Sequence, residues 1–349
     1  MTNLTGLPDA FAQENIENPL KMPVKFLIIR FSSIGDIVLT TPVIRCLKKQ
    51  VEGAEIHFLT KKQFVPVIKA NPYIDNIIVF ENIRATIKIL RQSGFHYILD
   101  LHNNLRSAII KSRLQGISFS FRKLNIEKWL LVNFGKDILP GEHVVDRYLE
   151  TLKLFDVTND ERGLDYFIPP GDKLDIAKLP QPFCNGYVVF TVGANHFTKC
   201  LPADKIISIC KEMNLPVILA GGKEDEDRGR MISGECGKLV MNTCGKYNIN
   251  QSASLVRQAK VVISHDTGLM HIAAAFKKKI ISIWGNTIPR FGMYPYQSHP
   301  DSVIFEVEGL KCRPCSKIGY HKCPEKHFRC MQDQNTGEIA GYAVRLYSD

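Results

Sequence analysis

Residues 26–49 read FLIIRFSSIGDIVLTTPVIRCLKK. The first six form an apolar run of strand length, residues 36–50 carry the apolar period of a helix, and a short Ser-Ser-Ile-Gly loop joins the two. A strand covered on both faces reads as a continuous apolar run, not an alternating one, so 26–31 belongs in a parallel sheet. Outward from it, apolar runs at 55–60, 76–80 and 97–101 alternate with helical stretches at 62–70, 83–93 and 103–114, and a further helix is expected near 143–155. This βαβα order predicts a doubly wound domain.

From Asp156 to Pro182 the period lapses and four prolines occur, as expected of a linker. A second series follows, with strands expected at 186–194, 216–222, 238–245, 261–266 and 280–286 and helices starting at 203, 225, 251 and 268. The expected fold class is therefore α/β, with Rossmann-like domains at 24–168 and 183–330 joined by a linker at 169–182. Their sheets would face each other across a cleft, where open α/β sheets bind ligands. A flexible tail is expected over 1–23, and a helix over 331–349 that returns toward the first domain.

A chain of 349 residues, 45% hydrophobic and 23% charged, excludes a disordered or fibrous protein. Lys and Arg outnumber Asp and Glu by 45 to 35, and the net charge of +10 favours anionic partners. No recognised nucleic-acid motif accompanies the charge, so no nucleic-acid partner is expected. No apolar run approaches the roughly 18 residues of a spanning helix. The opening MTNLTGLPDAFAQENIENPL lacks the basic and apolar regions of a signal peptide, and a cytoplasmic protein is expected.

Four strand-to-helix loops have the residues for chemistry. In the first, Ser33 and Asp36 fit a capping box, and capping alone accounts for both; equally, a carboxylate facing the cleft can take a proton from an incoming hydroxyl. In the second, Lys199 within VGANHFTKCLP (192–202) is either a solvated lysine or a point charge for a phosphate held by backbone N–H groups. The third, SHDTGLMH (264–271), brings Asp266, Thr267 and His271 to a helix start where Gly268 lets an anion approach; it reads as a ligand site, with helix capping and a core histidine as the alternative. The fourth, GGKEDED (221–227), crowds acids into a first helical turn, which complements the dipole better than it holds a metal. Glu224 or Glu226 there is suited to ribose hydroxyls. Neither domain shows GxGxxG after its first strand, which argues against a dinucleotide-dependent oxidoreductase.

Six cysteines are scattered singly, whereas Cys312, Cys315, Cys323 and Cys330 crowd into nineteen residues with His327 among them. One CxxC is present but not the second at ribbon spacing. A local staple is expected there, either structural zinc or disulfide, in preference to a catalytic role.

Three stretches together resemble glycosyltransferase family nine, the heptosyltransferases of lipopolysaccharide core synthesis, over about residues 24 to 345. FLIIRFSSIGDIVLTTPVIRCLKK is similar to the family's opening strand, S-S-x-G-D loop and helix with internal proline. VGANHFTKCLP resembles its G-A-x-x-x-x-K-x-W-P loop, and VVISHDTGLMHIAAA its D-T-G-x-x-H signature. The resemblance implies GT-B architecture and inverting transfer from a nucleotide sugar, with ADP-heptose the expected donor and no metal cofactor required. It assigns Asp36 as general base and Lys199 as the charge that stabilises the leaving diphosphate. Thr198, Thr267 and Gly268 would join Lys199 around the phosphates, Asp266 and His271 would contact sugar or phosphate, and Glu224 the ribose. On the acceptor side it implies Ser33, Gly35, Asp100, His102, Asn103 and Arg106. Leu201 replaces the usual Trp and Asn195 the usual Ser or Thr, which leaves open a related transferase with another nucleotide sugar and another cell-surface glycan.

Between Arg84 and Lys136 lie ten Lys or Arg against two Asp or Glu, a net of +8. That concentration fits an anionic, phosphorylated glycolipid acceptor and peripheral contact with the inner face of the membrane, since each basic residue near an anionic bilayer adds on the order of 1 kcal/mol. A monomer is expected.

Overall fold

The computed structural model describes residues 23–348; apart from Pro23, the tail expected over 1–23 lies outside them. Five strands, β1 (Val24–Ile29), β2 (Ala54–Lys61), β3 (Asn76–Phe80), β4 (Tyr97–Asp100) and β5 (Ile117–Ser120), form a parallel sheet in the order β3-β2-β1-β4-β5. Six more, β6 (Val188–Thr191), β7 (Val217–Ala220), β8 (Val240–Asn242), β9 (Val261–His265), β10 (Lys279–Trp284) and β11 (Val303–Glu306), form a second parallel sheet ordered β11-β10-β9-β6-β7-β8. Each sheet thus winds outward in one direction and then restarts beside its first strand. The reversal falls between β1 and β4 in one sheet and between β6 and β9 in the other, so the loops after those four strands splay apart and leave a crevice.

Burial on both faces explains the uniform apolar strands. Phe26 and Ile28 of β1 lie in one core cluster while Leu27 and Ile29 lie in another, and Val189 is separated in the same way from Val188 and Phe190. The cluster holding Phe26 is continuous with Val189, Ile218 and Trp284 of the second sheet and with Met270 of the helix Gly268–Ala275, so the two halves share one core. The linker is tied to both. Fully buried Arg45 is held by Asp160, Asp165 and the Gly163 carbonyl, while Tyr166 donates to Asn250 at 2.7 Å.

Several expectations are corrected. The helix expected over 36–50 is two, Ile34–Val38 and Thr41–Gln50, because Pro42 has no N–H to donate and begins a helix more readily than it continues one. Strand β5, the helix Asn125–Phe134 and strand β11 were not anticipated: β5 and β11 are half-exposed edge strands, and the helix buries no residue fully. The terminal helix, Thr336–Ser348, does not return to the first sheet. Its Ile339, Ala340, Ala343 and Leu346 pack into the second core with Ile206, Ile209 and Cys210 of the helix Ala203–Met213.

Candidate active site

The crevice is a cleft of ≈1110 Å³ between the two sheets, and its walls are the loops at the two reversal points. The loop after β1 supplies Ser33, Gly35 and Asp36; the loop after β6 supplies Asn195 and Lys199; the loop after β9 supplies Asp266, Thr267, Gly268 and His271. Residues from three separate stretches of chain therefore meet because each follows a strand adjoining a reversal.

Asp36 is part of a closed polar knot. One carboxylate oxygen pairs with Arg30 at 2.6 Å, and the other accepts from the Ser33 hydroxyl at 2.7 Å and the Ser33 amide at 3.1 Å. Burial alone would raise its pKa, but the adjacent Arg30 charge and the two Ser33 donors outweigh it and leave the carboxyl at about 2. Asp36 is thus both the capping-box acid and a cleft-lining carboxylate, ionised at every physiological pH. Arg30 is itself fixed by the Ser32 and Leu101 carbonyls and by the Tyr148 hydroxyl.

Opposite, Lys199 is paired with Asp266, which also accepts from Thr287 at 3.2 Å. Thr267 begins the eight-residue helix Gly268–Ala275, whose first N–H groups open toward the cleft. The two walls touch at glycine. A Cβ on Gly35 would lie 2.6 Å from His271 Cδ2, and one on Gly268 would lie 2.6 Å from Ile34 Cγ2. His271 is buried beneath this contact with no partner on Nδ1, and burial pulls its pKa down, against the pull of Asp266 and Asp36.

In the fourth loop the two glutamates are placed differently. Glu224 lines the cleft, as do Tyr247 and Ile249, whereas Glu226 pairs with Arg230 at 3.1 Å. Asp225 accepts from the Gly222 amide at 2.9 Å and presses against Gly193 and Gly221, where no Cβ would fit.

Other sequence-derived candidates have different work. Thr198 does not line the cleft: it is buried, its hydroxyl accepts from the Tyr320 amide at 2.8 Å, and it pins the cysteine-rich segment to the loop after β6. Asp100, fully buried, ties up its own loop through the His102 and Asn103 amides, Ser107 and Lys111. Asn103, at φ +49°, donates to the Phe121 carbonyl, and Arg106 lies over the rings of Phe31 and Phe80. His102 packs edge-on against Phe31, with burial and then Arg30 lowering its pKa to about 4. None of these four lines the cleft; two reach it indirectly, since the His102 and Asn103 carbonyls accept from Lys123, which does line it. Leu201 is buried in the second core away from the cleft, so its substitution for Trp is a packing change; Asn195 does line the cleft.

The cysteine staple is also corrected. All ten cysteines are free thiols, and among the described residues no group of three or more His, Cys, Asp or Glu side chains is arranged to hold a metal ion. The segment is fixed instead by Arg313, which donates to the Gly285 and Thr287 carbonyls and pairs with Glu306. Its contribution to the site is to bring Lys317 and Ile318 to the cleft.

Sequence reasoning missed the basic wall of the first half: Arg30, Lys123, Lys128 and Arg147 all line the cleft. Arg147 is fully buried, its Nη atoms facing the Arg122 and Phe291 carbonyls and its Nε without a partner. Lys128 is pushed down to about 8 by burial and then by Arg147. For Lys123 and Lys128 the signal was present as the +8 stretch, but that Lys128 turned inward depended on the helix Asn125–Phe134; Arg30 and Arg147 lie outside that stretch.

A profile of Glycosyltransferase family 9 (heptosyltransferase) matches residues 83–323, more than half of the chain. Lipopolysaccharide heptosyltransferase 1 of Campylobacter coli is 24% identical over 294 residues, covering 76% of this chain and 84% of the relative. Among solved structures, the ADP-heptose lps heptosyltransferase II of E. coli superposes with a TM-score of 0.73 at 19% identity over 93% of this chain and 98% of that one. A family 9 glycosyl transferase from Veillonella parvula gives 0.75 at 18% identity over 95% and 99%.

Proposed function

The chain belongs to glycosyltransferase family 9 and is a GT-B transferase, and from that premise we propose that it moves heptose, or a related sugar, from ADP-heptose to a lipopolysaccharide inner-core acceptor. The observation that supports this reading best is the meeting of Asp36 from one half with Lys199, Thr267 and Gly268 from the other across a single cleft. The first sheet and its loops, 24–168, form the acceptor half; the second, 183–330, forms the donor half.

On this reading the nucleotide lies along the second half, its ribose near Glu224 and its diphosphate at the start of the Gly268–Ala275 helix. Exposed N–H groups and the helix dipole favour negative charge there. Lys199 leaves Asp266 for the diphosphate and stabilises the charge that grows on it as the glycosidic bond breaks. The acceptor hydroxyl enters opposite, displacing the Ser33 hydroxyl from Asp36. Asp36 takes its proton as the hydroxyl oxygen attacks the anomeric carbon in line, which inverts that centre. Because Arg30 keeps the carboxylate weakly basic, proton transfer is late, when the attacking oxygen has become acidic. His271, buried under Gly35, positions the two loops.

Lys123, Lys128, Arg147 and Lys317 fit the anionic groups of a phosphorylated glycolipid beside the reacting hydroxyl. No helix among the described residues is long and apolar enough to cross a membrane, and we infer a monomer working in the cytoplasm against the inner face of the membrane, with no nucleic acid bound and no metal required. Asn195 in the cleft wall favours, as a second reading, a related sugar nucleotide.

Thermal melting with ADP, UDP, GDP, dTDP and NAD tests the donor, since a ligand at a hundredfold its Kd adds about 2.7 kcal/mol of stability. A selective rise with ADP, followed by transfer of heptose to lipid A–Kdo acceptors, is the expected result. A selective rise with another diphosphate would replace the sugar donor, and no rise with any would remove the nucleotide-sugar reading.

A further inference from the structure

The helix Asn125–Phe134 has three faces and uses two. Leu131 and Val132 pack with Leu124, Leu139 and Phe291, and Lys128 lies over the Phe291 ring at 5.4 Å and lines the cleft. The third face, Ile126, Trp129, Leu130, Asn133 and Phe134, repeats at i, i+3, i+4, i+7 and i+8 and is apolar at four of five positions. It points into solvent: Ile126 is 71% exposed, Trp129 52% and Phe134 68%, with Ile138 at 47% just beyond the helix end. The Trp129 and Phe134 rings already stack edge-to-face, 5.2 Å apart. An apolar stripe of this size on a solvent face marks an interaction surface.

We propose that this face is a membrane foot, which inserts into the interfacial region of an anionic bilayer and sets the mouth of the cleft against it. Charge selects the bilayer among the apolar partners that would fit. The patch sits inside the +8 stretch 84–136, with Arg122 and Lys136 exposed at the two ends of the helix. Basic residues flanking Trp, Phe and Ile on one helix face are the composition of interfacial helices, in which tryptophan prefers the headgroup level. The foot and the site are one element, since Asn125 and Lys128 of the same helix line the cleft. Seating the outer face on lipid therefore holds the basic wall within about one helix diameter, about 10 Å, of the headgroups. The inference rests on the proposed lipid-anchored acceptor, which would present its sugar at that height.

The chain has two tryptophans, and Trp284 is 1% exposed in the core, so a change in emission on membrane binding reports Trp129. The purified protein is mixed at low salt with phosphatidylglycerol vesicles, with phosphatidylcholine vesicles, and with phosphatidylglycerol vesicles carrying brominated acyl chains. Expected are cosedimentation with the anionic vesicles, a blue shift of emission and quenching by bromine. I126S/F134S should weaken vesicle affinity roughly tenfold or more, from the apolar area lost, while leaving turnover of a delipidated acceptor unchanged. Binding without blue shift or quenching would mean attachment by charge alone and would overturn the proposal, as would failure to bind. A blue shift without vesicles that grows with protein concentration would assign the face to a second copy and overturn it equally. Turnover of the delipidated acceptor is read separately: its absence in the wild type counts against the transferase reading and leaves the vesicle result to decide the foot.

Discussion

Replacing Asp36 by Asn separates what the carboxylate does for folding from what it does for chemistry. Asn preserves the shape and can still accept from Ser33, but it cannot neutralise Arg30, 2.6 Å away, nor take a proton. Moving a carboxyl from 3.8 to about 2 on folding corresponds to about 2.5 kcal/mol, the stability D36N should lose at neutral pH. Because the folded-state value is the lower one, that contribution is complete above about pH 4 and vanishes as pH falls toward 2, so the melting curves of wild type and D36N should converge in acid. Loss of a general base lowers turnover by roughly 10²–10⁴-fold. The assay is release of nucleoside diphosphate at saturating donor and acceptor, run beside an ADP melting shift that should survive, since Asp36 lies on the opposite wall from Lys199. A D36N protein that melts as expected yet keeps more than about a tenth of wild-type turnover would refute the assignment of the base.

Lys199→Ala should remove most of the ADP-induced rise in melting temperature and lower turnover together, because the same charge serves bound and leaving diphosphate; calorimetric ADP affinity checks it. Gly35→Ala should cost about 1–3 kcal/mol by overpacking against His271 and displace Asp36, with turnover falling further than the melting shift alone would suggest. Lys128, pushed down to about 8, loses its proton as pH rises through that value, so acceptor KM should climb above pH 8 while donor KM stays level; Lys128→Met should give a high acceptor KM at every pH.

The strands nearest the site were the most legible part of the chain, for a physical reason. Strands β1, β4, β6 and β9 are central and covered on both faces, so their apolar runs are unbroken, and the loops that follow β1, β6 and β9 line the cleft. Edge strands such as Ile117–Ser120, with three of four residues exposed, lose that signature. A polar residue at a strand end has the same spelling whether it faces ligand or backbone, so the partners of Thr198 at Tyr320 and of Asp100 at Ser107 were not legible in the sequence. Arg147 was illegible altogether, since its burial depends on Phe291, 144 residues away.

The glycine contact between the two walls acts as a mechanical stop. On the proposed reading, base and diphosphate site are spaced where Ile34 rests on Gly268 and His271 rests under Gly35. A chimera that joins the first half of one family member to the second half of another should therefore keep catalytic alignment wherever both glycines and the histidine are retained, however dissimilar the rest of the seam. Conversely, a single methyl at either glycine resets the gap for every substrate at once.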